Sequence, residues 1–259
     1  MRPALIAAGL TFVCTVQALA DDRIPAGALR AAYIASNPVQ AFVDPRSGEL
    51  RGPGADIARE MAKRLNAPLK ITGVASPAAV IESVRNGEAD IGFIAFDPQR
   101  ANEVDFSQVY ALAQNTYLVR EGSSLKSVAD VDRTGIKVGV TARDTADLVL
   151  TRTLKSAEIR RNGTGSVDTA VTWLADGAVD AYGTNRQRLT ELAARHAGYR
   201  LLPDNFYGVP QSVVAAKGNT AMIDFVNAVL DDAKRDGLIA RSIEEAGLHG
   251  LDVAPPRKD

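Results

Sequence analysis

Arg100 is the residue whose type and setting most directly suggest chemistry. It lies in IGFIAFDPQRANEVDFS, residues 91–107, where an apolar run from Ile91 to Phe96 stops at Asp97-Pro98 and a second run resumes at Val104. A guanidinium is always charged and presents a rigid fork of donors, so at a cleft edge it can hold a carboxylate through two parallel hydrogen bonds. Paired instead with Asp97 or Asp105, the same arginine would form an ordinary surface ion pair worth little. A second polar cluster, Thr141-Ala142-Arg143-Asp144-Thr145, opens the periodic run DTADLVLTRTL, residues 144–154. Asp144 is placed to cap that helix; turned toward a cleft, it would supply a negative charge. The aromatic residues Phe42 and Phe96 would either wall such a cleft or fill the core.

Other chemistries fail for want of residues. Cys14 is the only cysteine, and the two histidines, His196 and His249, lie far apart with no metal-ligand spacing. No metal site, cofactor or thiolate nucleophile is therefore expected. With 30 basic and 31 acidic residues, and no block of either sign, the chain has no electrostatic footprint for nucleic acid or an anionic membrane.

The elements that must position Arg100 and Asp144 alternate. LRAAYIAS (29–36) reads as a strand and NPVQAFVDPRSGELRGPG as a long loop. Ile57, Ala58, Met61, Ala62 and Leu65 recur at helical spacing, and LKITGV is a strand. Ser76 caps a helix with Pro77 at its first position, and the apolar run before Asp97 is the next strand. The second half repeats the plan, with GIKVGV (135–140) and AEIRR as strands, a helix over 166–177 capped by Ser166, and VDAYG as a further strand. FYGVPQSVVAAKGN (206–219) gives a strand and turn before two final helices, and the tail VAPPRKD is expected to fray. Strand-helix alternation of this kind means an α/β fold with mostly parallel sheets flanked by helices. VRNGEADIGF (84–93) and LADGAVDAYG (174–183) echo each other, consistent with two α/β lobes.

The first twenty residues form a separate unit. Arg2, an apolar stretch from Ala4 to Val16, and Ala18-Leu19-Ala20 before Asp21-Asp22 make a secretory signal cleaved after Ala20. The apolar run is shorter than the roughly 20 residues that span a bilayer. Val13 before Cys14 argues against a lipid anchor, and the mature chain is left without a thiol.

From about Leu29 to Leu248 the chain resembles the periplasmic amino-acid-binding proteins, solute-binding family 3, with the two-lobed type II periplasmic binding fold. DPQRANEVDFS, GELRGPGADIA, IKVGV, GAVDAYGTN and VVAAKGN carry the resemblance, in order. It implies a first lobe from residues 24–114 and 206–250, a second from 115–205, and two crossing segments between them. It also implies a small carboxylate-bearing, amino-acid-like ligand, a membrane ABC permease as partner, a monomer, a periplasmic location and no enzymatic activity. The implied ligand-binding set is Arg100, Asp97, Phe96, Asn37, Gln40, Phe42, Ser76, Thr141, Asp144, Thr145 and Asn185. Two members depart from the family pattern. Gln40 stands where an aromatic usually stacks on the ligand, and Asn185 where an aspartate usually offsets an α-ammonium. Zwitterionic amino acids are therefore expected to bind poorly unless Asp144 faces the cleft. Cyclohexadienyl dehydratases share the fold and need an acid in the cleft, for which Glu49 and Glu88 are the first-lobe glutamates to consider. A sensor or accessory module is the third class on this fold.

Overall fold

The computed structural model describes residues 27–35, 37–163 and 166–257; the leader and its cleavage site lie outside the described residues. The chain runs β1 (Leu29–Ile34), β2 (Phe42–Val43), β3 (Leu50–Arg51), α1 (Pro53–Arg64), β4 (Leu69–Val74), α2 (Pro77–Arg85), β5 (Ile91–Ala95) and β6 (Val104–Arg120). It continues with β7 (Lys137–Thr141), α3 (Thr145–Thr153), β8 (Glu158–Asn162), α4 (Thr169–Ala175), β9 (Ala181–Asn185) and α5 (Arg186–Arg195). The last elements are β10 (Tyr199–Leu201), β11 (Tyr207–Ala216), α6 (Thr220–Arg235), α7 (Leu238–Glu245) and β12 (Leu251–Val253).

One path orders the main sheet as β4-β1-β5-β11-β6-β9-β7-β8, with β10 and β12 also paired to β6. The wings are parallel: β1 with β4 and β5, β7 with β8 and β9. The centre is antiparallel, because β11 runs back between β5 and β6, and β6 pairs with β9. The 17-residue β6 serves both halves: residues 104–115 pair with β11, and residues 115–118 pair with β9. Where the chain returns from the second half, Phe206 N–H donates to Asn115 O at 3.0 Å, so the returning chain lies beside β6.

Each half is covered on both faces. In the first, Phe93 and Ile91 pack with Met61, Tyr110 and Val226 on one face, while Ile94 packs with Val80, Ile81 and Val84 on the other. That two-sided burial explains the unbroken apolar run of β5. Gly92 lies under α2, where an added Cβ would stand 2.4 Å from Val80 Cγ1; without a side chain there, α2 can lie directly on β5. The second half builds one cluster around Tyr117, Val140 and Leu150 and another around Leu118, Leu174, Tyr182 and Leu192.

The sequence echo has a physical counterpart. Asp90, just before β5, accepts the Arg30 backbone N–H at 2.8 Å, and Asp180, just before β9, accepts the Lys137 N–H at 2.8 Å. Each aspartate N–H in turn donates to the carbonyl of the same partner. The repeated aspartate thus pins the start of the neighbouring parallel strand in both halves. Two distant motifs also meet. Asp105 of VDFS accepts from Lys217 Nζ at 2.6 Å and from Gly218 N–H at 2.7 Å, while Ser107 Oγ accepts from Val213 N–H.

Three local expectations are corrected. The helix expected from Ser166 begins at Thr169 with Asp168 as its N-cap; Ser166 Oγ accepts from the Asp168 N–H in the preceding turn instead. The tail is tied down as far as Ala254: β12 pairs with β6, and Ala254 is buried with its N–H on Tyr110 O. The chain between β9 and β11, unassigned from sequence, forms α5 and β10.

Candidate functional site

Arg100 is placed by a turn. Asp97 Oδ1 accepts from Gln99 N–H at 2.8 Å and Asp97 O from Arg100 N–H at 3.1 Å. The chain leaving β5 is thereby bent into a short 3-10 helix, Arg100–Asn102, at the C-terminal end of that strand. The half-buried guanidinium donates from Nη1 to Ala95 O at 3.0 Å. Among the described residues it has no ion-pair partner. Asp97 is engaged in its own turn and Asp105 is held by Lys217, so the surface-pair alternative finds no acid to use.

Arg100 lines a cavity of about 570 Å³ that draws on both halves. The first half supplies Asn37, Gln40, Pro77, Val209 and Gln211 as well; the second supplies Asn115, Asp144, Thr145, Thr184, Asn185 and, from α5, Gln187, Arg188 and Glu191. This is the region outside strand C-termini and at helix N-termini where ligands of open α/β sheets collect, because the helix ends carry unpaired N–H groups and positive partial charge. A groove of about 680 Å³ beside α2 shares Arg100 and Pro77, but all its lining residues belong to the first half.

Asp144 does two things at once. Its Oδ1 caps α3 by accepting from Asp147 N–H at 2.9 Å, and its Oδ2 accepts from Thr184 Oγ1 at 3.3 Å. Burial pushes its carboxyl above the usual aspartate range, opposed by those hydrogen bonds. Cap and cavity lining, weighed as alternatives from sequence, coexist. Asn185 likewise lines the cavity while capping α5, its Oδ1 accepting from Arg188 N–H at 3.3 Å. Gln40 is fully buried; its Oε1 accepts from Ile34 N–H at 3.0 Å and fixes the end of β1.

Of the expected set, Asn37, Gln40, Arg100, Asp144, Thr145 and Asn185 come together around this cavity, and five residues do not line it. Phe96 is 42% exposed and packs edge-on against Phe106, its ring centroid 5.1 Å away. Phe42 sits in the two-residue β2, opposite Arg51. Ser76 caps α2, accepting from Ala79 N–H at 3.2 Å, and lines the neighbouring groove. Thr141 Oγ1 is 3.0 Å from Tyr182 OH, and Asp97 serves its turn. No aromatic ring lines the cavity among the described residues; its lining offers charge and hydrogen-bonding groups.

Sequence reading missed Asn115, Thr184, Gln187, Arg188, Glu191 and Gln211. The α5 residues had a signal, an Asn cap followed by Leu189 and Leu192 at helical spacing. Gln211 had none. It lies at an irregularity in β11, where the register against β6 shifts between Gln211 and Ser212, and such bulges re-aim side chains.

Comparison with known proteins follows from this geometry. The profile of the bacterial extracellular solute-binding proteins, family 3, matches residues 29–247. The chain is 28% identical over 199 residues to an ABC transporter glutamine-binding protein of Bacillus subtilis (strain 168), covering 75% of this chain and 71% of that one. It is 30% identical over 179 residues to a glutamine-binding protein of Geobacillus stearothermophilus, covering 67% of each. Among solved structures, an ancestral cationic amino acid solute-binding protein is similar with a TM-score of 0.65 at 25% identity, covering 86% of this chain and 96% of that one.

Proposed function

The chain belongs to family 3 of the bacterial extracellular solute-binding proteins, and on that premise we propose that it captures a small, carboxylate-bearing, amino-acid-like solute between its two lobes for ABC-type import. The observation that carries the reading is the Arg100 guanidinium, half-buried in a cavity lined from both halves and, among the described residues, without an acidic partner. A carboxylate there would accept parallel charge-assisted hydrogen bonds. The lobes are proposed to divide near residues 114–115 and 205–206, where β6 and the returning chain lie together and can act as a hinge.

The protein is read as a receptor without turnover, delivering its solute to a membrane permease as a monomer. Glu49 and Glu88, the glutamates considered for a dehydratase acid, do not line the cavity.

A thermal-shift screen of the chain from Asp21 onward, against amino acids, keto acids and hydroxy acids, tests the proposal. A solute at about 100-fold its dissociation constant adds about 2.7 kcal/mol, which for a chain of this size raises the melting temperature by roughly 5 to 11 °C. No shift with any small carboxylate would contradict it.

Export is proposed to remove the leader after Ala20. The mass of the protein recovered from the periplasm should then correspond to a chain starting at Asp21. A chain retaining Met1, or carrying lipid on Cys14, would overturn that assignment.

A further inference from the structure

We propose that the C-terminal turn His249–Gly250 braces the first half against α5 of the second, and that this brace sets the resting angle between the lobes. Gln187 and His249 are then positioning residues for solute capture. This rests on the lobes dividing near residues 114–115.

The seam between the halves lies along one edge of β6. β11 takes the other edge, so β12 and β9 share this one, β12 against residues 111–113 and β9 against residues 115–118. Between them the Gln114 N–H donates to Gly250 O at 2.7 Å, and Asn115 stands opposite Asn185, the last residue of β9, after which α5 begins at Arg186. A bend of β6 between Gln114 and Asn115 must therefore change the spacing between the turn and the start of α5.

That spacing is held in both directions. Gln187 Oε1 accepts the His249 N–H at 2.6 Å, a bond that separation breaks. Gly250, with a φ of +80°, lies against the stem of Arg186, where an added Cβ would stand 2.6 Å from Cβ, Cγ and Cδ, so closer approach is blocked. Arg186 is itself fixed. Its Nε donates to Asn205 Oδ1 at 2.7 Å, and its Nη2 to Leu202 O at 2.9 Å and Asp204 O at 2.8 Å, all on the chain returning toward the first half. The turn is anchored on its own side by Gln114 Nε2, which donates to Asp252 Oδ2 at 2.8 Å, and by the buried Ala254.

The braced arrangement is open to water. Pro38 on the first-half wall of the cavity is exposed, as are Thr145, Arg188 and Glu191 on the second. A contact that holds the lobes there opposes closure, and apparent affinity falls with the share of molecules in the arrangement that grips the solute. Gln187 also lines the cavity, so the brace reaches the site it governs.

Double electron-electron resonance on the chain from Asp21 tests the brace without any solute. Cys14 is the only cysteine, so that chain has no native thiol, and spin labels can be carried by cysteines replacing the exposed Glu82 of α2 and Arg152 of α3. His249→Pro removes the N–H donor, and proline is favoured in a turn just before a glycine of positive φ. The distances between labels are expected to move to shorter values in this variant. Gln187→Met removes the acceptor with little change of length and should move them the same way; it decides the matter if His249→Pro does not fold. Calorimetry with L-glutamine should show unlabelled His249→Pro binding roughly 2- to 10-fold more tightly than the wild type, the range for one hydrogen bond that opposes closure. Distances unchanged in both variants, or moved to longer values, would overturn the proposal. A wild type that fails to bind L-glutamine would count against the solute reading alone, because the distances, recorded without solute, still decide the brace.

Discussion

Replacing Arg100 with alanine is expected to abolish solute binding while leaving the protein folded. The side chain contributes little to the fold: among the described residues its one hydrogen bond goes to Ala95 O, it has no ion pair to lose, and it belongs to none of the four apolar clusters. Its contribution to binding is large for the opposite reason. In a cleft from which closure expels water, removing one partner of a charge-assisted pair leaves the solute carboxylate dehydrated and unmatched, at a cost of about 2 to 5 kcal/mol. That is roughly a 30-fold to several-thousand-fold loss of affinity. Calorimetry of the variant, with a thermal melt to confirm an unchanged ligand-free stability, measures both halves of the expectation. A change of only a few-fold in affinity would return Arg100 to the status of a surface cation.

The parts of this account that the sequence made legible are those where local chemistry and tertiary structure ask for the same residue. The run Ile91 to Ala95 is apolar because both faces of β5 are covered, and Asp97-Pro98 ends it, so the position of Arg100 at a strand end could be read directly. Ser76-Pro77 and Asp144 announced their helices for the same reason. Residue type was a poor guide where two environments accept the same side chain. Phe42 and Phe96 were placed as possible cleft walls, but aromaticity says only that a ring seeks contact, and Phe96, 42% exposed, makes it edge-on with Phe106. Asn185 was read for the charge it lacks, while its work as the cap of α5 went unseen, and with it the helix that brings Arg188 and Glu191 to the cavity. Gln211 and Asn115 were beyond reach. Both are buried polar residues whose exposure to the cavity depends on how β11 and β6 are laid together, in a register set by partners about a hundred residues away.

Solute binding is also expected to make the molecule more compact. The cavity takes its lining from both halves, so a solute in contact with Arg100 on one side and Asp144 on the other binds the closed arrangement better than the open one. Turning a population from 1:99 to 99:1 in favour of closure requires a differential affinity of about 5.5 kcal/mol. Paired contacts at Arg100 and on the second half together are of that order, whereas contacts to one half alone would shift nothing. The proposed place for the rotation is where β6 and the chain entering β11 lie side by side, outside both apolar cores.

Small-angle scattering from the chain beginning at Asp21, recorded alone and with a saturating concentration of the solute found by the thermal screen, tests this two-lobed capture most directly. The account predicts a smaller radius of gyration in the presence of the solute, and a reduced change for Arg100→Ala at the same concentration. An identical radius with and without bound solute, in a sample whose melting temperature shows that binding has occurred, would contradict it.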